Sequence, residues 1–337
     1  MVRSHALAIC SIYGGILSAL GAADGFSDAG HKLCSLSAHV ARNRQRSTEL
    51  RVIGDDINAL ISRLSPDIAD ADESHPKVYI IGTGLSNEVI NLPLSTLAIL
   101  SKASVVLHDN LSLPADEIRK VVPESCIVKS VGKRGDDVSS VPQSEIDKLL
   151  IEYAKQPDKY PTILRLKGGD PFLFGRSRTE IDALREHQIT YKVIPYLSSA
   201  VAGPHYAGIP LTDPLLDAQS FAVFSGTNAK GIGIGDDGGN DWGDIGVDTL
   251  IFLMIGRLDK LGQLSQKIIE STGDRWDQDT PYAIVQSAGR AEQRVWRATL
   301  STILDAIRKD MGKECTTVSP AIFVAVSYTH LTLPTKA

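Results

Sequence analysis

Aromatic residues make up only 6% of this 337-residue chain, and cysteine occurs at four positions. So few aromatic rings argue against a platform on which single-stranded bases stack. Cys10, Cys34, Cys126 and Cys315 are far apart and form no C-x-x-C. That spacing disfavours a zinc knuckle or a disulfide scaffold and points to reduced thiols. The eight histidines contain no H-E-x-x-H or other close ligand spacing, so no metal site is expected. Charge of one sign is also missing. The 35 Lys+Arg stand against 40 Asp+Glu, a net charge of −5, so no strongly basic surface invites nucleic acid. The one mostly apolar stretch near the start, Ala6 to Leu20, is too short and too rich in Gly and Ser for a membrane span. What remains is an ordinary globular composition, 43% hydrophobic and 22% charged, with enough chain for one large or two medium domains.

The ends differ from the middle. Arg3, the apolar stretch and then Gly21-Ala22-Ala23 have the build of a signal peptide or short targeting segment. A buried helix or the remnant of an upstream domain fits the same residues. Ile53, Ile57, Leu60, Ile61 and Leu64 have helical spacing, and the polar run 70–76 reads as a linker. A domain is expected from Lys77.

From there strands and helices alternate. Short apolar runs at Val78–Ile81, Ser104–Leu107, Ile127–Val131, Thr162–Leu166 and Tyr191–Ile194 read as strands. Leu94–Leu100 and Arg176–His187 suit helices, and Ser140-x-x-Gln143 has a capping-box pattern opening another. The second half continues with strands at Phe221–Phe224, Thr249–Met254, Tyr282–Val285 and Ala321–Val326, and helices at Ser198–Ala207, Leu258–Ile269 and Leu300–Ile307. This alternation predicts two α/β domains with largely parallel strands. The Gly- and Asp-rich segment 231–246 has no nonapeptide period, so a surface insertion is expected rather than a calcium-binding repeat.

Three segments could carry chemistry. Gly82-Thr83-Gly84 follows a strand, where glycine lets the backbone turn tightly and approach a ligand. Asn87 stands where a dinucleotide fingerprint needs its third glycine, so a simple tight turn fits equally well. The dense run Arg165-Leu-Lys-Gly-Gly-Asp-Pro-Phe-Leu-Phe-Gly-Arg176 begins at a strand end, where α/β proteins place ligands. Within it Asp170 can accept hydrogen bonds, and Arg165, Lys167 and Arg176, with Arg178 beyond, supply cations for an anionic substrate. In the third segment, Ser198 and Ser199 can cap a helix whose small residues allow close approach to its N-terminus.

Taken together, the segments resemble the tetrapyrrole methylase family over about residues 77–326. The resemblance is carried by Val78-Tyr-Ile-Ile-Gly-Thr-Gly84, Leu107-His-Asp-Asn-Leu111, Val131-Gly-Lys-Arg134, Gln143-x-Glu-Ile146, Arg165–Arg176 and Ala207-Gly-Ile-Pro-Leu-Thr212. Thr249–Met254, Ala288, Glu292-Gln-Arg294 and Pro320-Ala321 complete it. It implies two α/β domains of the class III methyltransferase type, 77–194 and 195–326, with the active site in the cleft between them. They would be flanked by an uncertain segment 1–76 and a foreign or frayed tail 327–337. It also implies methylation of uroporphyrinogen III by S-adenosyl-L-methionine at C2 and C7, giving precorrin-2 on the route to sirohaem and corrins. The implied protein is a homodimer that binds neither nucleic acid nor membrane. It would be cytoplasmic, or organellar if the leader is a targeting peptide. Carried over by position, Leu85, Gly168, Gly169, Asp170, Leu173, Ser198, Ser199, Met254, Ala288 and Pro320 would contact the cofactor. Asp109, Arg176 and Glu180 would stand on the catalytic side, with Lys133, Arg134 and Arg178 beside Arg176 as a carboxylate clamp.

The chain departs from the family pattern in four places. The first loop reads Gly-Thr-Gly-Leu-Ser-Asn87 where the family has G-x-G-P-G-D, and Thr179 stands where a first glutamate would be. Tyr196 replaces the glycine of a Pro-Gly pair, and Asp213-Pro214 replaces His-Arg. An active methyltransferase, a cofactor- or tetrapyrrole-binding pseudoenzyme and a family member with another substrate all fit these residues. A dinucleotide-dependent dehydrogenase is disfavoured by the missing glycine.

Overall fold

In a computed structural model of the chain the described residues are 77–132, 141–226, 246–271 and 276–327. All of them fall within one compact unit. The leader-like stretch, the helical pattern from Ile53 to Leu64, the run 70–76, Lys133, Arg134 and Ser140 lie outside them, as do all of 231–246 but Gly246 and all of the tail but Ser327.

The first sheet contains β1 (Val78–Gly82), β2 (Val105–His108), β3 (Ile127–Ser130), β4 (Ile163–Lys167) and β5 (Tyr191–Ile194) in the order β3-β2-β4-β1-β5, all parallel. A parallel strand covered on both faces must be apolar on both, and β1 is buried at every position. Val78 and Ile80 enter one core cluster, while Tyr79 and Ile81 enter the other. The covering helices are α1 (Leu94–Leu100), α2 (Ala115–Ile118), α3 (Gln143–Ala154) and α4 (Ser177–Glu186). Ile146, Leu150, Ile151 and Ala154 form the buried stripe of α3. The helix starts at Gln143 behind an N-cap at Pro142, so Gln143 stands nearer the start of the helix than the capping-box pattern places it. Its side chain bonds Asp147 at 2.7 Å.

The second sheet holds β6 (Phe221–Ser225), β7 (Thr249–Leu253), β8 (Pro281–Gln286), β9 (Arg294–Thr299) and β10 (Ala321–Val326) in the order β6-β7-β10-β8-β9. Here the expectation of largely parallel strands fails, since β6 and β7 are the one pair of bonded neighbours that is parallel. The link between β8 and β9 is too short to cross a sheet, so it returns as an antiparallel hairpin. β9 lies on the edge and was not expected from the sequence, because its arginines interrupt the apolar run. Helices α6 (Leu258–Ser271) and α7 (Ile303–Met311) cover one face over Leu250 and Phe252. On the other face, helix α5 (Ser199–Tyr206) lies over Ile251 and Ile322. α5 sits low because Gly203 has no Cβ, and one built there would come 2.2 Å from Ile322 Cδ1. Leu85, from the loop after β1, packs against this same face. Among the described residues no helix is long and apolar enough to cross a membrane.

Candidate active site

Strand direction decides what meets at the cleft. The loops after β1, β2 and β4 leave one end of the first sheet and bring Leu85, Asp109, Gly168 and Gly169 to a cavity of about 690 Å³. From the second sheet come Met254 after β7 and Ala288 after β8. β10 runs antiparallel to both, so its beginning lies at their ends, which places Pro320 beside them. Carboxyl ends of parallel strands are where open α/β sheets bind ligands.

Glycine shapes the floor. Gly84 and Gly169 pair as an isolated bridge, N–H to O at 3.2 and 2.7 Å, and both have positive φ (68° and 69°). At Gly168 a Cβ would lie 2.7 Å from the Leu111 carbonyl oxygen, so the β2 and β4 loops touch through backbone there. Asp170, expected to contact a ligand, is not among the lining residues and accepts from backbone N–H groups of its own loop and of the segment after β5. Its Oδ1 accepts from the N–H groups of Phe172 (2.8 Å) and Leu173 (3.1 Å), and its Oδ2 from that of Tyr196 (3.3 Å). Ser198 caps α5 by accepting from the Ala200 N–H at 3.2 Å. The neighbouring Ser199 lines the cavity.

Backbone conformation marks the same place. Among the described residues six that are not glycine have positive φ, and four of them line the cavity: Phe174, Arg176, Met254 and Ser287. Such conformations cost energy and gather where function requires them.

The cations divide into two sets. Arg165 and Lys167, expected to face an anionic substrate, point inward and are 0% and 1% exposed. Strand alternation puts them on the same side of β4, under α4. Arg165 donates to Asp109 Oδ1 at 2.5 Å and to Glu180 Oε1 at 3.0 Å. Lys167 donates to both oxygens of Glu180 at 3.0 and 2.9 Å. Two cations and two anions thus neutralise one another beneath the cavity. Burial alone would raise the Glu180 carboxyl, but Arg165 and Lys167 hold it below the ordinary glutamate value. Burial, seconded by Arg165, lowers Lys167 against the pull of Glu180. Glu180, expected on the catalytic side, is therefore a fully buried counter-ion absent from the lining. Arg178 pairs with Asp182 at 2.6 Å on the surface. Lys133 and Arg134 lie outside the described residues.

Arg176 and Asp109 do line the cavity, with Leu85, Gly168, Gly169, Leu173, Ser199, Met254, Ala288 and Pro320. Asp170, Ser198 and Glu180 support it from behind. Sequence reasoning missed Gln143 as a lining residue and missed Arg290 altogether. A turn arginine has no periodicity to betray its partners.

Known proteins with this arrangement can now be set beside it. The family model described as tetrapyrrole (corrin/porphyrin) methylases matches residues 77–304. A uroporphyrinogen-III C-methyltransferase of Synechococcus elongatus is 37% identical over 226 residues, covering 67% of this chain and 84% of that protein. An S-adenosyl-L-methionine-dependent uroporphyrinogen III methyltransferase of Methanosarcina barkeri is 30% identical over 260 residues, 77% of this chain and 94% of that one. The crystal structure of uroporphyrin-III C-methyl transferase from Thermus thermophilus complexed with S-adenyl homocysteine aligns with a TM-score of 0.56 at 27% identity, covering 74% and 97%. With a family model spanning more than half the sequence, the chain belongs to the tetrapyrrole methylases.

Proposed function

We propose that this cleft transfers methyl groups from S-adenosyl-L-methionine to C2 and C7 of uroporphyrinogen III, giving precorrin-2 for sirohaem or corrin synthesis. The observation that carries the reading is that one cavity holds both the glycine floor and the pair Asp109 and Arg176. The residues suit the methyl donor. The volume is that of a small-molecule site. Leu85, Leu173, Met254 and Ala288 offer apolar surface to an adenosyl group, and Gly168 and Gly169 let it lie against bare backbone.

When bound, S-adenosyl-L-methionine supplies an electrophilic methyl on a sulfonium, so the protein's task is mostly to position a pyrrole carbon in line with it. Arg176 at the N-terminus of α4 clamps a substrate carboxylate. Asp109 presents its carboxylate to the cavity with Oδ1 fixed by Arg165, and Oδ2 accepts the proton released from a meso carbon. Glu180 cannot take that proton, since both its oxygens already accept from Lys167. The free thiols of Cys126 and Cys315 suit a cytoplasmic protein. We read the assembly as a homodimer, in which the exposed apolar Leu197, Val201 and Tyr206 are a face for a second copy to cover.

A second reading, binding without turnover, is favoured at two positions. Thr179 donates weakly to the Arg176 carbonyl at 3.4 Å, and Asp213 is engaged in capping the turn Pro214–Leu216. Anaerobic incubation with uroporphyrinogen III and isotope-labelled methyl donor, followed by carbon NMR of the product, tests the regiochemistry. Two labelled methyls, at C2 and C7, are expected. Label elsewhere on the macrocycle would overturn that assignment, and no label at all would favour the binding-only reading.

A further inference from the structure

We infer that Arg290 is a positioning residue that sets the width of the cleft by tying the two sheets together across it. The inference rests on the methyl-transfer reading only for what the cleft holds; the tie itself is a matter of geometry.

Arg290 lies in the turn between β8 and β9, on the second sheet's side. Its side chain crosses to the first. Nε donates to the Leu85 carbonyl at 3.1 Å, and Nη2 donates to the Leu111 carbonyl at 3.3 Å. These carbonyls belong to two different loops, those after β1 and β2, and both residues line the cavity. Leu111 is two residues from Asp109, so the same guanidinium that spaces the cleft steadies the turn carrying the lining carboxylate. The Leu111 carbonyl is doubly constrained, because it also bounds the space that a Cβ at Gly168 would need.

A tie works only if its base is firm. The turn bearing Arg290 is braced against α5. The Gly289 N–H donates to Gln293 Oε1 at 2.8 Å, and Gln293 Nε2 donates to the Tyr206 carbonyl at 3.2 Å. Gly289 has φ 76°, and a Cβ there would come 2.9 Å from the Tyr206 ring. Ser287, with φ 49°, accepts the Arg290 N–H through its carbonyl at 3.1 Å. The fork geometry of a guanidinium lets one side chain reach two carbonyls, which a lysine ammonium cannot match over the same span.

Hydrogen exchange of the ligand-free protein reads the tie directly. In Arg290→Ala the amides of residues 84–88 and 109–112 should exchange about tenfold faster or more, with thermal unfolding little changed, and Arg290→Lys should recover part of the protection. S-adenosylhomocysteine should bind Arg290→Ala about tenfold more weakly. Added guanidinium ion, at concentrations that leave the fold intact, should restore affinity to Arg290→Ala without affecting the parent protein. Unchanged exchange in those two loops overturns the inference. Failure of the parent protein to bind S-adenosylhomocysteine overturns the methyl-transfer reading instead, and leaves the exchange result to decide the tie.

Discussion

The residues at the centre of the site are charged, and burial determines which of them can act. Arg165, Lys167 and Glu180 look from sequence like groups for a substrate. Spacing puts Arg165 and Lys167 on one side of a strand, but nothing in the spacing says that side faces α4 rather than the cleft. Only the burial of all three shows that they cancel one another. Breaking such a set leaves an unpaired buried charge, so Glu180→Gln should lower unfolding free energy by about 3–5 kcal/mol in denaturant titrations. The sign of its pH dependence follows from the lowered carboxyl. The native protein holds Glu180 ionised at pH values where the unfolded chain protonates it. Its contribution is therefore present above the ordinary value of 4.5 and is lost as pH falls below that. His108 acts at a higher pH. Burial lowers it from 6.5, with Asp109 opposing, so the unfolded chain binds a proton that the folded chain resists. Stability should fall as pH drops through that value, and His108→Phe should flatten this part of the curve. A stability profile flat from pH 7 to 4 would contradict both assignments.

At the scale of elements, most strands and helices were legible because their apolar runs are short, dense and bounded by turn residues. β5 and β10 begin and end where the sequence placed them. Direction was not legible. A run such as Tyr282–Val285 reads the same whether its neighbour is parallel or antiparallel, and β9 hid behind its arginines. The site depends on that hidden direction, since only the antiparallel course of β10 brings Pro320 to Met254 and Ala288. Gly168 and Gly169 are expected from sequence at the cofactor, but the carbonyl that Gly168 lies against, that of Leu111, was not legible. Gly168→Ala tests that contact. Its Cβ meets backbone rather than a movable side-chain tip, so the loop carrying Asp109 must shift. Methyl transfer should fall roughly ten- to hundredfold while thermal unfolding changes little. Full activity would show that the two loops are not coupled.

For the molecule as a whole, the described residues form a pair of sheets with a cleft between their ends. An overall charge of −5 offers no general attraction to a polyanionic substrate. In the folded protein the balance is local. Beneath the cavity the charges sum to zero, while Arg176 lines it and is available to a carboxylate. On the proposed function this cleft binds the methyl donor on glycine-lined backbone and uses Arg176 to hold the tetrapyrrole. The most direct test measures label transfer from methyl-labelled S-adenosyl-L-methionine to uroporphyrinogen III, alongside calorimetric binding of S-adenosylhomocysteine, for the parent protein and Arg176→Ala. Transfer by the parent, transfer reduced at least a hundredfold or so in the variant, and equal S-adenosylhomocysteine affinity in both are expected. Equal transfer by the two proteins, or no transfer by the parent, would contradict that function.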